Sequence, residues 1–420
     1  MPDDFIAAKP SPLVRGFFRG TLPVILPRVL GIVGVDYEPD DLERLRALAP
    51  RRVLLTPNHP TNNEPALLFH LSCAVGQPFF FLACREAFEP LRGAWGEVIR
   101  RVGAFSVVRG TADRASFRAT RELLARPAAK VVIFPEGEVY SQNDTLLPFH
   151  AGVLQLAFWA LEDVKRAAAG DGTGGDDDTS LYVLPVAIKY RFTTDMRPAL
   201  LASLERLERF NGLPAADAAA GEDPYRRLRR VCMAMLLSIE REYRLPSPKE
   251  DDIDANLTPR IDAAKEAILH RVATAAGVAL PKGETLPERM RALIHVIETV
   301  TEGEPADATP YDRELKRQQR ERARPLLRDL HRLANYIALY DGYVREKPSP
   351  ERMADTLQRL ERESFGKTFL DGPRRCHVRL GEPLDLAGRW GAYQENRRAE
   401  VARATHDVEA AVGALLRAMP

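Results

Sequence analysis

The chain has 420 residues, of which 45% are hydrophobic and 28% charged, and a formal net charge of +1. That length allows one large core or two moderate ones, the composition is that of a folded globular protein, and the near-neutral balance argues against wholesale nucleic-acid binding. Its four cysteines (Cys73, Cys84, Cys232, Cys376) are scattered without C-x-x-C or metal-ligand spacing, which fits a reducing, cytoplasmic setting and no metal site.

The N-terminus, MPDDFIAAKP, is acidic and prolyl where a secretory signal would be basic, so none is expected. Residues 16–35 (GFFRGTLPVILPRVLGIVGV) come nearest to a membrane span, but Arg19, Arg28 and two prolines interrupt them. A span needs about 20 uninterrupted apolar residues. The segment either lies in a bilayer interface or packs as a helix on the core, and residues 1–50 are expected to form an amphipathic membrane-surface segment.

Residues 51–58 (RRVLLTPN) predict a short buried strand ending in a turn. Pro65 then opens a helix at a natural first position. Further strands are predicted over 77–84, 103–110, 130–138 and 182–190, alternating with helices from about Glu89, over 111–126 and over 151–166. That alternation predicts an α/β fold with a largely parallel central sheet flanked by helices. From about residue 200 helical patterns take over, at 224–245, 259–277, 287–301, 311–345 and 350–364. Strand chemistry returns at 376–386 before a helix over about 391–418. The expected organisation is therefore a core over 51–192, a large helical insertion over 193–375, and a final strand and helix over 376–420 that rejoin the core.

NHPTNNEP places His59 and Glu64 five residues apart. On a regular helix that is about 140° of rotation, and the side chains could not meet. They meet only if Pro60, Asn62 and Asn63 form a turn. A carboxylate on one imidazole nitrogen fixes the tautomer and stabilises the imidazolium while the other nitrogen takes a proton. Such a base–orienter pair has no nucleophile of its own, so the nucleophile must come from a substrate. Arg109 follows the strand AFSVV, and Glu136 with Gly137 ends the strand KVVIFPEGE at a turn with exposed backbone N–H groups. Arg109 and those amides form a candidate phosphate cradle. Glu136 either contacts substrate or holds the turn by bonding backbone amides. Three segments converging beyond the carboxyl ends of strands match where ligands bind in open α/β sheets. The remaining histidines show no ligand spacing.

The ordered set NHPTNNEP, GAFSVVRG, IFPEGE and VLPVAIKY resembles the four motifs of the glycerolipid acyltransferase superfamily, which includes the lysophosphatidic acid and glycerol-3-phosphate acyltransferases. The resemblance implies a catalytic dyad of His59 and Glu64, where the family usually has aspartate as the acid. It implies a phosphate-contacting Arg109, with Gly103 and Phe105 matching the same motif. It also implies a substrate-side turn of Phe134, Pro135, Glu136 and Gly137, and an acyl-donor side around Pro185. After that turn the family often has Thr-Arg-Ser, whereas this chain has Glu138, Val139, Tyr140 and Ser141. The implied reaction moves a fatty acyl group from acyl-CoA or acyl-carrier protein, without a bound cofactor, to a glycerophosphate or lysophospholipid hydroxyl. His59 would be the base, at the cytoplasmic, inner face of the plasma membrane. Two other readings are a catalytically degenerate lipid- or phosphate-binding protein of the same fold and an acyl-thioester hydrolase.

Overall fold

Residues 5–91, 93–108, 113–170, 179–214, 223–246, 255–280, 285–301 and 309–419 are described by a computed structural model of the chain. They form two compact units, Met1–Thr193 with Pro373–Pro420, and Thr194–Gly372. The first unit begins with α1 (Pro12–Val29), β1 (Ile32–Tyr37), α2 (Pro39–Ala47), β2 (Arg52–Pro57), α3 (Glu64–Val75) and β3 (Phe80–Cys84). It continues through α4 (Ala94–Val102), β4 (Ala104–Val107), α5 (Arg114–Ala125), β5 (Lys130–Val132), α6 (Ala151–Gly170) and β6 (Leu181–Phe192). The second unit is helical: α7 (Arg197–Phe210), α8 (Pro224–Tyr243), α9 (Thr258–Ala276), α10 (Leu286–Thr301), α11 (Pro310–Tyr336), α12 (Tyr343–Glu346) and α13 (Pro350–Phe365). The chain then returns to the first unit as β7 (Arg374–Leu380), β8 (Leu384–Asp385), α14 (Trp390–Glu395) and α15 (Arg397–Ala418).

Among the described residues, all the strands belong to one eight-stranded sheet of order β1-β7-β6-β2-β5-β3-β4, with β8 beside β6. The run from β6 to β4 is parallel, while β7 joins β6 antiparallel and carries β1 parallel to itself. The fold is thus mixed α/β with a mostly parallel sheet and a helical region before the final strands. Side chains alternate across each strand, and both faces are covered. Leu54, Val131, Val183 and Ala187 pack with Leu154, Phe158, Val408 and Val412 from α6 and α15. Val53, Leu55, Val132 and Ile188 pack with Leu22, Leu45, Leu67 and Leu71 from α1, α2 and α3. Two faces covered by helices explain why β2, β5 and β6 read as nearly continuous apolar runs.

Local chemistry fixes the ends. Lys189, buried in β6, donates its Nζ to the carbonyls of Leu416 (3.2 Å) and Met419 (2.9 Å). A cation is favourable there because the last carbonyls of α15 are otherwise orphaned. Where β6 leaves the sheet, the Thr193 N–H donates to the Pro373 carbonyl at 3.0 Å, and this pairing starts β7. Within the second unit, buried Arg227 grips Glu208 through two hydrogen bonds of 2.9 and 2.7 Å, and Arg260 grips Glu240 at 2.7 and 2.8 Å. Bidentate geometry makes these pairs directional.

Three elements differ from the sequence reading. Residues 16–35 are not one segment: α1 ends at Val29, Gly31 turns at φ +65°, and Ile32–Tyr37 is an edge strand. The predicted strand 130–138 stops at Val132, because the following residues are drawn into the turn described below. The predicted helix 311–345 ends at Tyr336 and restarts at Tyr343 after Gly342, whose φ of +120° favours glycine.

Candidate active site

The site forms because β2 and β5 are neighbours whose onward connections part. From β2 the chain passes through α3 to β3, two strands along; from β5 it passes through α6 to β6, in the opposite direction. The two helices cover opposite faces, which opens a crevice at the carboxyl ends of these strands. His59 follows β2, and Glu136 follows β5.

The turn between His59 and Glu64 brings the pair together. His59 Nδ1–H donates to Glu64 Oε2 at 2.7 Å. A carboxylate only accepts, so this contact selects the tautomer with a lone pair on Nε2. Among the described residues, no protein group hydrogen-bonds to Nε2. Glu64 is fully buried while 15% of the His59 side chain remains exposed, so the imidazole is the half of the pair open at the crevice. Its ring stacks on Phe134, with centroids 3.9 Å apart and planes 20° apart.

Burying a carboxylate costs several kcal/mol unless its oxygens are satisfied. Glu64 is held by more than His59. Tyr190 donates its hydroxyl to Oε1 at 2.5 Å, Thr61 donates its hydroxyl at 2.6 Å, and the Thr61 N–H spans both oxygens at 3.2 and 3.1 Å. Tyr190 is held in turn. Beyond Pro57, β2 no longer pairs with β6, and two asparagine amides take over its ladder. Asn58 brackets Ile188 (2.7 and 2.9 Å), and Asn143 brackets Tyr190 (2.7 and 2.7 Å). Burial, then the Glu64 charge, raise the Tyr190 phenol well above its ordinary value, which keeps it a donor.

Glu136 faces inward. One carboxylate oxygen accepts the His59 N–H at 2.9 Å, and the other accepts the Leu147 N–H at 3.0 Å. It ties the β5 turn to the backbone of the candidate base, so of the two readings above the structure gives the turn-holding one. Burial pushes its carboxyl up to about 7 from 4.5, against the pull of those two amides. The native protein therefore holds this proton more tightly than the unfolded chain does. The stabilisation is full below about pH 4.5 and is lost as pH rises through about 7. Glu136→Gln should abolish that slope and leave one amide facing an NH2 group, a cost of about 1–3 kcal/mol. Trp95, Trp159 and Trp390 all lie in the first unit, so urea unfolding followed by tryptophan fluorescence between about pH 5 and 7.5 reads it. Equal slopes in wild type and variant would contradict the assignment.

The other expected site residues serve the backbone. Gly137 completes the turn at φ +73°, its N–H donating to the Phe134 carbonyl at 3.1 Å. Gly103 closes α4 at φ +125°, and a Cβ there would stand 2.7 Å from the Phe79 carbonyl oxygen. Its N–H donates to the Ile99 and Arg100 carbonyls, so it has no amide left for a substrate. The Pro185 ring is buried in β6 on the face away from Tyr190; Pro185 Cβ would stand 3.2 Å from a Cβ added at Gly381, whose N–H donates to its carbonyl. Gly103 and Pro185 thus shape strands and offer a substrate no polar group. Phe105 is likewise a buried core residue. Arg109 lies outside the described residues.

Tyr190, Thr61, Asn58 and Asn143 were not among the residues expected from sequence. Thr61 with Glu64 three residues on is the spacing of a capping box, a signal for the Thr61–Glu64 contact. Tyr190 and Asn143 carry no local signal, because their roles depend on the register of β6.

The mostly parallel sheet thus holds, at its switch-point crevice, a histidine oriented by a buried carboxylate, with Nε2 left as a basic nitrogen. Residues 40–189, about a third of the chain and including His59, Glu64 and Glu136, match the model of the family described as Acyltransferase. No curated protein matches the chain.

Proposed function

We propose that this domain transfers a fatty acyl group from acyl-CoA or acyl-carrier protein to the hydroxyl of a glycerophosphate or lysophospholipid, with His59 as the general base. The observation that carries this reading is the 2.7 Å hydrogen bond from His59 to buried Glu64, which leaves Nε2 as the basic nitrogen at the crevice. His59 Nε2 takes the acceptor's hydroxyl proton as the oxygen attacks the thioester carbonyl. The tetrahedral adduct collapses by breaking the C–S bond, and the imidazolium returns the proton to the leaving thiolate. Glu64 stabilises the imidazolium meanwhile. A positioned base of this kind contributes about 10²–10⁴-fold. Arg109, close after β4, is proposed to hold the acceptor phosphate. An acceptor panel of glycerol 3-phosphate, lysophosphatidic acid and lyso-aminolipids, run with each thioester, tests the reading. Turnover with a phosphate-bearing acceptor supports it, and turnover confined to phosphate-free acceptors would contradict it.

A membrane-surface site of action, on the cytoplasmic face, is part of the proposal, and α1 supports it. No helix among the described residues is long and apolar enough to cross a membrane. Yet Leu13, Phe17 and Val24 fall on one exposed stripe of α1, at 86%, 63% and 52% exposure. The helix carries no acidic residue, and its exposed charges are Arg19 and Arg28. An apolar stripe flanked by arginines suits the boundary of an anionic bilayer. The double variant Phe17→Glu, Val24→Glu should lower co-sedimentation with phosphatidylglycerol-containing vesicles at least about tenfold. Turnover of a soluble acceptor should stay unchanged. Undiminished vesicle binding would contradict this face.

A further inference from the structure

Glu64 orients His59, so whatever fixes the direction and charge of that carboxylate also governs the imidazole. Its two oxygens are used unequally. Oε2 accepts from His59 Nδ1–H at 2.7 Å and from the Thr61 N–H at 3.1 Å. Oε1 accepts two short hydroxyl bonds, from Tyr190 at 2.5 Å and from Thr61 at 2.6 Å. Hydroxyl donors this close to an ionised oxygen make strong, charge-assisted bonds.

Tyr190 is held firmly in that place. It is 2% exposed and packs in the same core as Cys376 and Val378. The Arg374 guanidinium lies over its ring, 5.6 Å from the centroid, where a cation draws electron density from the phenol. Other titratable or charged groups also face the pair. Glu136 reaches it from the turn after β5, Cys376 lies beside Glu64 on β7, and Arg374 stands behind Tyr190. Of these residues, Tyr190 is the one that bonds the Glu64 carboxylate directly.

We propose that Tyr190 is a positioning residue for acyl transfer: its hydroxyl aims Glu64 at His59 and draws off part of the carboxylate's charge, which keeps the Nε2 lone pair available at lower pH. This rests on His59 being the base. A donor to a carboxylate favours the charged form. A proton added to the pair, on either partner, cancels part of that charge, so the titration belongs to the pair and each donor resists it. Without the Tyr190 hydroxyl the pair takes up its proton at higher pH.

The test is a pair of changes with opposite expected signs. Tyr190→Phe keeps the ring and deletes the donor, and should move the acid limb of the kcat/KM profile up by about one pH unit. Tyr190→3-fluorotyrosine gives a more acidic phenol of nearly the same size, a stronger donor, and should move the limb down. A ring that only fills space would give neither shift. The His59 ring signal in nitrogen-15 NMR, identified by its loss in His59→Ala, needs no substrate, and its pH midpoint should follow both changes. A midpoint unmoved or lowered in Tyr190→Phe would overturn the proposal. If that variant does not fold, a midpoint that fails to fall in the fluorotyrosine protein overturns it equally. Midpoints that shift while turnover shows no matching limb would uphold the coupling of Tyr190 to the pair and remove His59 as the base, which separates the two readings.

Discussion

His59→Ala is expected to lower acyl transfer by about 10²–10⁴-fold without unfolding the domain. The imidazole is the partly exposed member of its pair, while the His59 N–H that Glu136 accepts belongs to the backbone and survives the substitution. Glu64 keeps its bonds from Tyr190 and Thr61, so the stability loss should stay near the ~1.5–3 kcal/mol of one charged hydrogen bond. Rates of thiol release, measured beside the tryptophan unfolding curve, separate the two effects. A folded variant with undiminished rate would remove His59 from the role of base.

Glu64→Gln should lower kcat by a similar factor, for a different reason. The amide is nearly isosteric but neutral, so the imidazolium formed in the transition state loses its counter-charge. When the NH2 group faces Nδ1, the histidine is also driven into the tautomer that carries hydrogen on Nε2 and cannot accept a proton there. In the serine-protease triad the corresponding acid-to-amide change lowers kcat about 10⁴-fold. The expected range here is about 10²–10⁴. The loss should appear in kcat with KM little changed, because Glu64 is fully buried behind the imidazole. A loss confined to KM would contradict an orienting role. Hydrogen bonds from Tyr190 and Thr61 that now end on a neutral amide should also lower stability by about 1–3 kcal/mol.

How much of this was legible in the sequence depends on how local the physics is. The His59–Glu64 contact could be read from five-residue spacing, which excludes a helix, and from Pro60, Asn62 and Asn63, which form the turn that replaces it. The parallel sheet was legible because strands buried on both faces leave uninterrupted apolar runs. Glu136 was readable only as one of two alternatives, since a carboxylate beside a turn serves a substrate or the backbone equally well until its neighbours are known. The structure supplies those neighbours as the amides of His59 and Leu147.

Tyr190 and Asn143 lay beyond reach for a longer-range reason. Their places follow from β6 sitting between β2 and β7, with Tyr190 opposite Cys376 across the antiparallel pair. No pattern within either segment encodes that register. Gly103 was legible only as part of a motif, while its φ of +125° and the nearby Phe79 carbonyl give it a backbone reason as well. The apolar stretch 16–35 misled because one composition served two periods. Residues up to Val29 follow a helix, and after Gly31 the alternation in IVGVDY is that of a strand.

The most direct test of the account is thiol release from acyl-CoA by the purified chain, with and without lysophosphatidic acid. Transfer through a substrate hydroxyl predicts release only when acceptor is present, matched mole for mole by diacylated product and lost in His59→Ala. Release without acceptor would instead make water the nucleophile and the protein a thioester hydrolase. Binding of both substrates with no release at all would contradict catalysis by the His59–Glu64 pair.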